Sequence, residues 1–309
     1  FALPGQLLTC GDSHTCASGA FNCAARGMGP ADMVYVACKG ETWYQVAPTI
    51  LYCFEGKLPD MVSGKDIFLY LAGNFGDATN RNVEFGGAGI AHLPLSDRQS
   101  IATMCAEINA EFAMFPCDNI LLDYLKSRAQ EDFEPVASDP DAVYEDVRNI
   151  NLDLMEPYIS LPHYIPGNCR PVSDMEGIKI DQVLLGSCSN GRLEDLRTAA
   201  SILKGRRINP GVRMIVTPAS QNIYREALKA GYLEILLDAG AVVTNATCGA
   251  CYGGHMGLIG RGEKCLSTTT RNFQGRMGSA DSEIMLAAPA TAAASALRGE
   301  ITDPRKLTC

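Results

Sequence analysis

From Lys179 to Gly299 the chain repeats one pattern, a short apolar and β-branched run that leads through a loop into a helical stretch. KIDQVLL (179–185) passes through GSCSNG into LEDLRTAASILKG, and RMIVTP leads to a helix through SQNIYREALKAGYLEILLDAG. AVVTN runs into TCGACYGG and KCLSTT into TRNFQGR, ahead of SEIMLAAPATAAASALRG, whose alanine content predicts one more helix. Strands that alternate with helices imply an α/β fold with a parallel sheet. In such sheets ligands collect beyond the carboxyl ends of the strands. Three of these strands run out onto Cys188, onto Cys248 with Cys251, and onto Arg271 with Arg276. One rim is therefore expected to gather three thiols and two guanidiniums.

The first half has the same style. QLLTC reads as a short strand ending on Gly11-Asp12-Ser13-His14, and PTILYCFEG as another strand. SDRQSIATMCAEINAEFAMF predicts an apolar helix opened by a Ser96/Gln99 capping box, with Glu107 inside it. The stretch from about Glu131 to Pro171 is rich in Pro, Asp and Asn and reads as a connection between lobes, with a boundary near Ser173. Three segments follow: 1–47 as the remainder of a first lobe, 48–172 as a second lobe with its connection, and 173–309 as a third.

Composition excludes several classes. With 309 residues, 47% hydrophobic and 20% charged, the chain can bury a sizeable core. A net charge of -9 argues against a general binder of nucleic acid or of anionic membrane surfaces. No run approaches the ~20 apolar residues of a membrane span, and no signal-peptide order opens the chain, so a cytoplasmic protein is expected. The thirteen cysteines are scattered through core-like segments such as MVYVACKG and LYCFEG, which predicts mostly reduced thiols packed as small hydrophobes. Phe1 stands directly before a motif-bearing segment, so something upstream is expected to be missing.

The C-x-x-C of Thr247 to Gly257 has several readings taken alone: half a zinc ribbon, a redox dithiol, part of an iron–sulfur site, or packed thiols. No second C-x-x-C or paired-histidine motif completes a zinc ribbon. A thioredoxin-like dithiol would have no third cysteine on a neighbouring loop. Cys188, in a glycine-flanked loop leaving the same sheet edge, makes a set of three with Cys248 and Cys251. Electron-carrying cubane clusters normally take four cysteines, so three would leave one iron open to substrate.

The blocks GDSHT, VEFGGAGI, AEINAEFAMFP, GSCSNGRLEDLR, TCGACYGGHMG and TRNFQGRMGS, in this order, resemble the aconitase superfamily, and within it the members divided between a large and a small polypeptide. The resemblance implies parallel-sheet α/β lobes around one 4Fe-4S cluster held by Cys188, Cys248 and Cys251. It implies proton handling by Asp12 and His14, an active-site carboxylate at Glu107, substrate binding by Ser13, and carboxylate binding by Arg271 and Arg276. The implied activity is that of a hydro-lyase subunit isomerising a hydroxy di- or tricarboxylic acid by dehydration and rehydration. Homoaconitate, a dimethylmalate or a methylcitrate-type acid are further substrates of this chemistry. The family's upstream Asp-His pair and its swivelling domain do not occur within this sequence, so a small swivelling-domain subunit is the expected partner. Thr103 and Thr270 stand where the family usually has asparagine, and Tyr252 where it has an aliphatic residue. His92, His163 and His255 read as structural. An electron carrier or redox sensor is disfavoured by three cysteines instead of four, and an RNA-binding apo form by the pI near 5.0.

Overall fold

The computed structural model describes residues 2–307, which divide into two compact units, 2–58 with 77–154 and 59–76 with 155–307. The first unit holds strands β1 (Leu7–Cys10), β2 (Ala24–Gly27), β3 (Thr49–Glu55), β4 (Asn82–Gly86), β5 (Ala113–Met114) and β6 (Asp146–Asn151). β1 and β2 form a parallel pair, and a parallel four-stranded sheet runs in the order β5-β4-β3-β6. Alternation along β3 and β4 buries Ile50, Tyr52, Phe54, Val83 and Phe85 on one face. There Phe85 stacks on Phe115 at 4.3 Å and on Phe54 at 5.7 Å between ring centres.

The second unit holds β7 (Tyr158–Ser160), β8 (Cys169–Pro171), β9 (Gln182–Gly186), β10 (Arg213–Thr217), β11 (Val242–Val243), β12 (Lys264–Ser267) and β13 (Glu283–Ala287). They make one seven-stranded sheet, β11-β10-β9-β12-β13-β7-β8, parallel from β11 to β13 and antiparallel at β7 and β8. Every residue of β9 is buried, as expected of a central strand covered on both faces. At its end Gly186 is obligatory: φ is +132°, and a Cβ there would stand 2.0 Å from the Thr217 carbonyl oxygen. No helix among the described residues is long and apolar enough to cross a membrane.

The α/β class with parallel sheets is as expected, but several elements differ. The contacts change unit near Leu154, not near Ser173, because β7 and β8 extend the sheet of the second unit. The 131–171 stretch is more than a connection, since β6 pairs with β3 over six residues despite its polar sequence. The helix expected through 220–240 is broken into Gln221–Lys229 and Tyr232–Asp238 at Gly231, which adopts φ +76°. SEIMLAAPATAAASALRG begins as strand β13 and turns helical only at Pro289, where proline starts the helix Pro289–Arg298. The Ser96/Gln99 capping box is not formed: the helix Leu95–Met104 already includes Ser96, and its N-cap is Pro94. MVYVACKG lies on the helix Pro30–Lys39, which buries no residue, so Cys38 is exposed instead of packed.

Arg98 is completely buried and joins three segments of the first unit. It donates to the carbonyls of Leu93 (3.1 Å) and Ile90 (3.0 Å) and forks onto Asp118 at 2.9 and 2.6 Å. Asp118 is also the N-cap of the helix Asn119–Leu125. Burial pushes its carboxyl up, but the hydrogen bonds from Arg98 and from the Leu121 amide outweigh this and hold it below the usual carboxylate range. Arg98→Met is expected to cost about 3–5 kcal/mol at neutral pH, because it leaves two carbonyls and a carboxylate without their donor. Asp118 has a lowered folded-state pKa, so its contribution is present above the unfolded value of about 3.9 and fades as pH falls through the folded value. Calorimetry of both proteins across acid pH should therefore show the Tm gap narrowing as Asp118 protonates; a constant gap contradicts the pairing.

Candidate functional site

In the first unit, β1 ends at Cys10 and the chain turns through Asp12 and Ser13 into the 3-10 helix Thr15–Phe21, leaving His14 at its mouth. The His14 imidazole Nε2 stands 2.9 Å from Glu107 Oε1, and both side chains are largely buried, 11% and 3% exposed. Glu107 lies not on an α-helix but on the 3-10 turn Cys105–Ile108, closed by Asn109 in the left-handed region. Asp12, expected to handle protons with His14, meets its backbone and not its ring. Its Oδ1 accepts the His14 backbone N–H at 2.7 Å, lies 3.8 Å from Nδ1, and its side chain is 68% exposed. Ser13 Oγ is 3.3 Å from Nδ1. Glu107 is thus the carboxylate placed to orient the ring, and Asp12 shapes the backbone.

In the second unit the strand ends carry the thiols. Cys188 sits in the single helical turn Ser187–Asn190 that directly follows β9, and Cys248 and Cys251 belong to the turn after β11. β9, β10 and β11 are parallel neighbours, so these turns leave one sheet edge. Cys188 and Cys248 are exposed, and Cys251 is buried. His255, expected to be structural, packs against the C-x-x-C loop: its Nε2 is 3.0 Å from Thr247 Oγ1, and a Cβ on Gly249 would stand 2.0 Å from it. Tyr252 is half exposed.

Arg271 and Arg276 follow β12, the other neighbour of β9, and both are half-buried. Arg276 Nε donates to the Cys251 carbonyl at 3.0 Å, and a terminal nitrogen lies 3.6 Å from Cys251 Sγ. The expected carboxylate-binding residue is therefore also a tie between the arginine loop and the thiol loop. The sequence reading overlooked Lys65. This fully buried lysine donates from Nζ to the carbonyls of Thr268 (3.2 Å) and Thr269 (2.6 Å), fixing the strand end that presents Arg271. A signal was available: Lys65 is in the first turn of the helix Gly64–Phe75, behind a Ser63/Asp66 capping box, where a cation opposes the helix dipole and needs another reason to be there.

Burial sets four other cysteines apart from this rim. It pushes Cys16, Cys169 and Cys265 up to about 12 and Cys23 up to about 11, so these thiols keep their protons and make poor metal ligands. Among the described residues no three His, Cys, Asp or Glu side chains are grouped so that they could hold a metal ion. The three thiols share a sheet edge without a finished ligand geometry.

A model of the aconitase family (aconitate hydratase) matches residues 1–299. The chain belongs to the aconitase family. It is 55% identical over 306 residues to the 3-isopropylmalate dehydratase large subunit of Mycolicibacterium smegmatis, covering 99% of this chain and 72% of that protein. To the large subunit from Halothermothrix orenii it is 46% identical over 308 residues, covering 99% and 73%. Among solved structures, holo aconitase X of Thermococcus kodakaraensis is similar with a TM-score of 0.44 and 11% identity, over 90% of this chain and 65% of that one.

Membership of the aconitase family implies an iron–sulfur cluster, and the chemistry of this rim fits one. Of the buried side-chain polar atoms without a hydrogen-bond partner among the described residues, Ser187 Oγ, Thr270 Oγ1 and Asn272 Oδ1 lie on the segments that follow β9 and β12, and Asn82 Oδ1 and Thr291 Oγ1 lie elsewhere. Buried polar groups are paired almost without exception, and unmatched atoms next to Cys188 and Arg271 are compatible with a bound group there. The two threonines that depart from the aconitase-family pattern differ in this respect. Thr103 spends its hydroxyl on the Gln99 carbonyl of its own helix at 2.5 Å, whereas that of Thr270 is unused.

Proposed function

We propose that the chain is the large, cluster-binding subunit of a 3-isopropylmalate dehydratase, a cytoplasmic hydro-lyase of leucine biosynthesis that works with a separate small subunit. The observation that carries this reading is 55% identity over 99% of the chain to a protein of that name. The buried His14–Glu107 pair supports it, being a ready-made acid–base unit. The substrate is a hydroxy dicarboxylic acid whose hydroxyl leaves as water and returns on the adjacent carbon. One four-iron four-sulfur cluster on Cys188, Cys248 and Cys251 supplies, when bound, a Lewis acid for that hydroxyl.

The chain's own residues do the rest. In dehydration His14 gives the departing hydroxyl the proton it needs to leave as water and becomes a neutral imidazole, which takes the proton back on rehydration, while Glu107 holds the ring in position. Asp12 fixes the backbone at His14, and exposed Ser13 offers its hydroxyl to substrate. Arg271 and Arg276 bind the carboxylates. Arg276 commits two nitrogens to Cys251 and keeps further N–H donors for an anion. Abstraction of the carbon-bound proton falls to the swivelling small subunit.

Arg276→Lys keeps the charge but loses the planar fork. It is expected to cost about 2–4 kcal/mol of transition-state stabilisation, roughly 30- to 1,000-fold in kcat/KM. A Lys variant with wild-type kcat/KM removes Arg276 from substrate binding. Substrate identity is tested by turning over 3-isopropylmalate, homocitrate, citrate and dimethylmalate with the reconstituted enzyme and following absorbance of the unsaturated acid. The highest kcat/KM should belong to 3-isopropylmalate; preference for another acid overturns that assignment and leaves the reaction class standing.

A further inference from the structure

Ser187 and Thr270 each bury a hydroxyl that has no hydrogen-bond partner. Ser187 lies between β9 and Cys188, is 5% exposed, and has φ +68°, the left-handed region that a non-glycine residue enters at a cost of about 1–2 kcal/mol. Its Oγ has no hydrogen-bond partner. Thr270 follows β12, is completely buried, and its Oγ1 is equally unmatched. The two segments leave the sheet side by side, because the Gly186 amide donates to Thr268 Oγ1 at 2.8 Å.

The polar groups of Ser267, Thr268 and Thr269 just before Thr270 are matched. Thr268 Oγ1 accepts from Gly186, Thr269 Oγ1 pairs with Ser267 Oγ at 2.7 Å, and Lys65 takes both carbonyls. The strand end is thus carefully satisfied up to two hydroxyls, one on each side of the rim where Cys188 and Arg271 begin. A buried hydroxyl without a partner costs about 1–3 kcal/mol, and Ser187 carries backbone strain as well. Such costs persist where the group acts on something bound. Asn272 Oδ1, also unmatched, is an acceptor only and needs a donor, so it does not share this role.

We propose that the Ser187 and Thr270 hydroxyls are positioning residues that donate hydrogen bonds to the anionic sulfur atoms of the cluster held at the Cys188 rim. The inference rests on the cluster assignment made under Proposed function. Hydrogen bonds to cluster sulfurs spread the negative charge, raise the reduction potential and slow oxidative loss of iron. Neither hydroxyl binds iron or exchanges a proton with substrate.

The test uses Ser187→Ala, Thr270→Val and the double variant, each in the full-length chain with the small subunit, loaded anaerobically. Two readouts are needed. Melting of the metal-free proteins should show no loss of Tm, since each substitution removes an unmatched buried hydroxyl. After exposure to air, the visible cluster absorbance of the double variant should decay about tenfold faster than wild type from equal initial iron content, the scale expected for removing outer-shell partners. Its midpoint potential should become more negative. Equal decay and potential overturn the proposal, as does a marked drop in metal-free Tm, which would mean that the hydroxyls serve the fold. A wild-type protein that takes up no iron overturns the cluster reading itself, a different outcome from a loaded wild type with unchanged variants.

Discussion

Cys188→Ser is expected to reduce kcat/KM of the reconstituted enzyme by about 10²–10⁴-fold and to leave the protein with little iron. A thiolate-held metal site is worth about 10–16 kcal/mol in apparent affinity, so one of three ligands accounts for roughly 3–5 kcal/mol. Serine is near-isosteric, and Cys188 is exposed on a short turn, so the fold itself should be spared. Cys38→Ser is the matched comparison, a thiol equally exposed but on the helix Pro30–Lys39, and it should keep full iron and activity. Equal iron content in the two variants would contradict the ligand assignment for Cys188.

Glu107→Gln is expected to lower kcat by about 10²–10⁴-fold, the usual contribution of a positioned acid–base group. Glutamine can still reach His14 Nε2, as Glu107 does at 2.9 Å, but it carries no charge to stabilise the imidazolium. The loss should therefore appear in kcat more than in KM. Asp12→Asn should cost much less, because an amide oxygen can still accept the His14 backbone N–H and the side chain is 68% exposed. If Asp12→Asn proves the more damaging of the two, the imidazole takes its direction from Asp12 and not from Glu107.

Much of this was legible in the residues. Strands alternating with helices gave the parallel sheet, and the sheet in turn put the loops of Cys188, Cys248, Cys251, Arg271 and Arg276 at one edge. What escaped was decided by tertiary packing. β13 looks like helix because EIMLA runs straight into an alanine-rich stretch, and only burial against β12 and β7 makes it a strand. β6 is too polar to announce itself, and its pairing with β3 is visible only in space. The partner of His14 could not be chosen from sequence, since Asp12 lies two residues away and Glu107 is separated from it by 93. Nothing near Lys65 in the chain reveals its role, because its acceptors are carbonyls more than two hundred residues further along. The strain at Ser187 is a backbone property that composition does not carry.

The account stands or falls on whether a cluster at the Cys188 rim meets the substrate. The most direct measurement is Mössbauer spectroscopy of the iron-57-loaded full-length chain with its small subunit, with and without 3-isopropylmalate. One iron of the four should change its signal when substrate is added, and that response should disappear with Cys188→Ser. A fully loaded, catalytically active protein in which no iron responds to substrate would contradict the central claim.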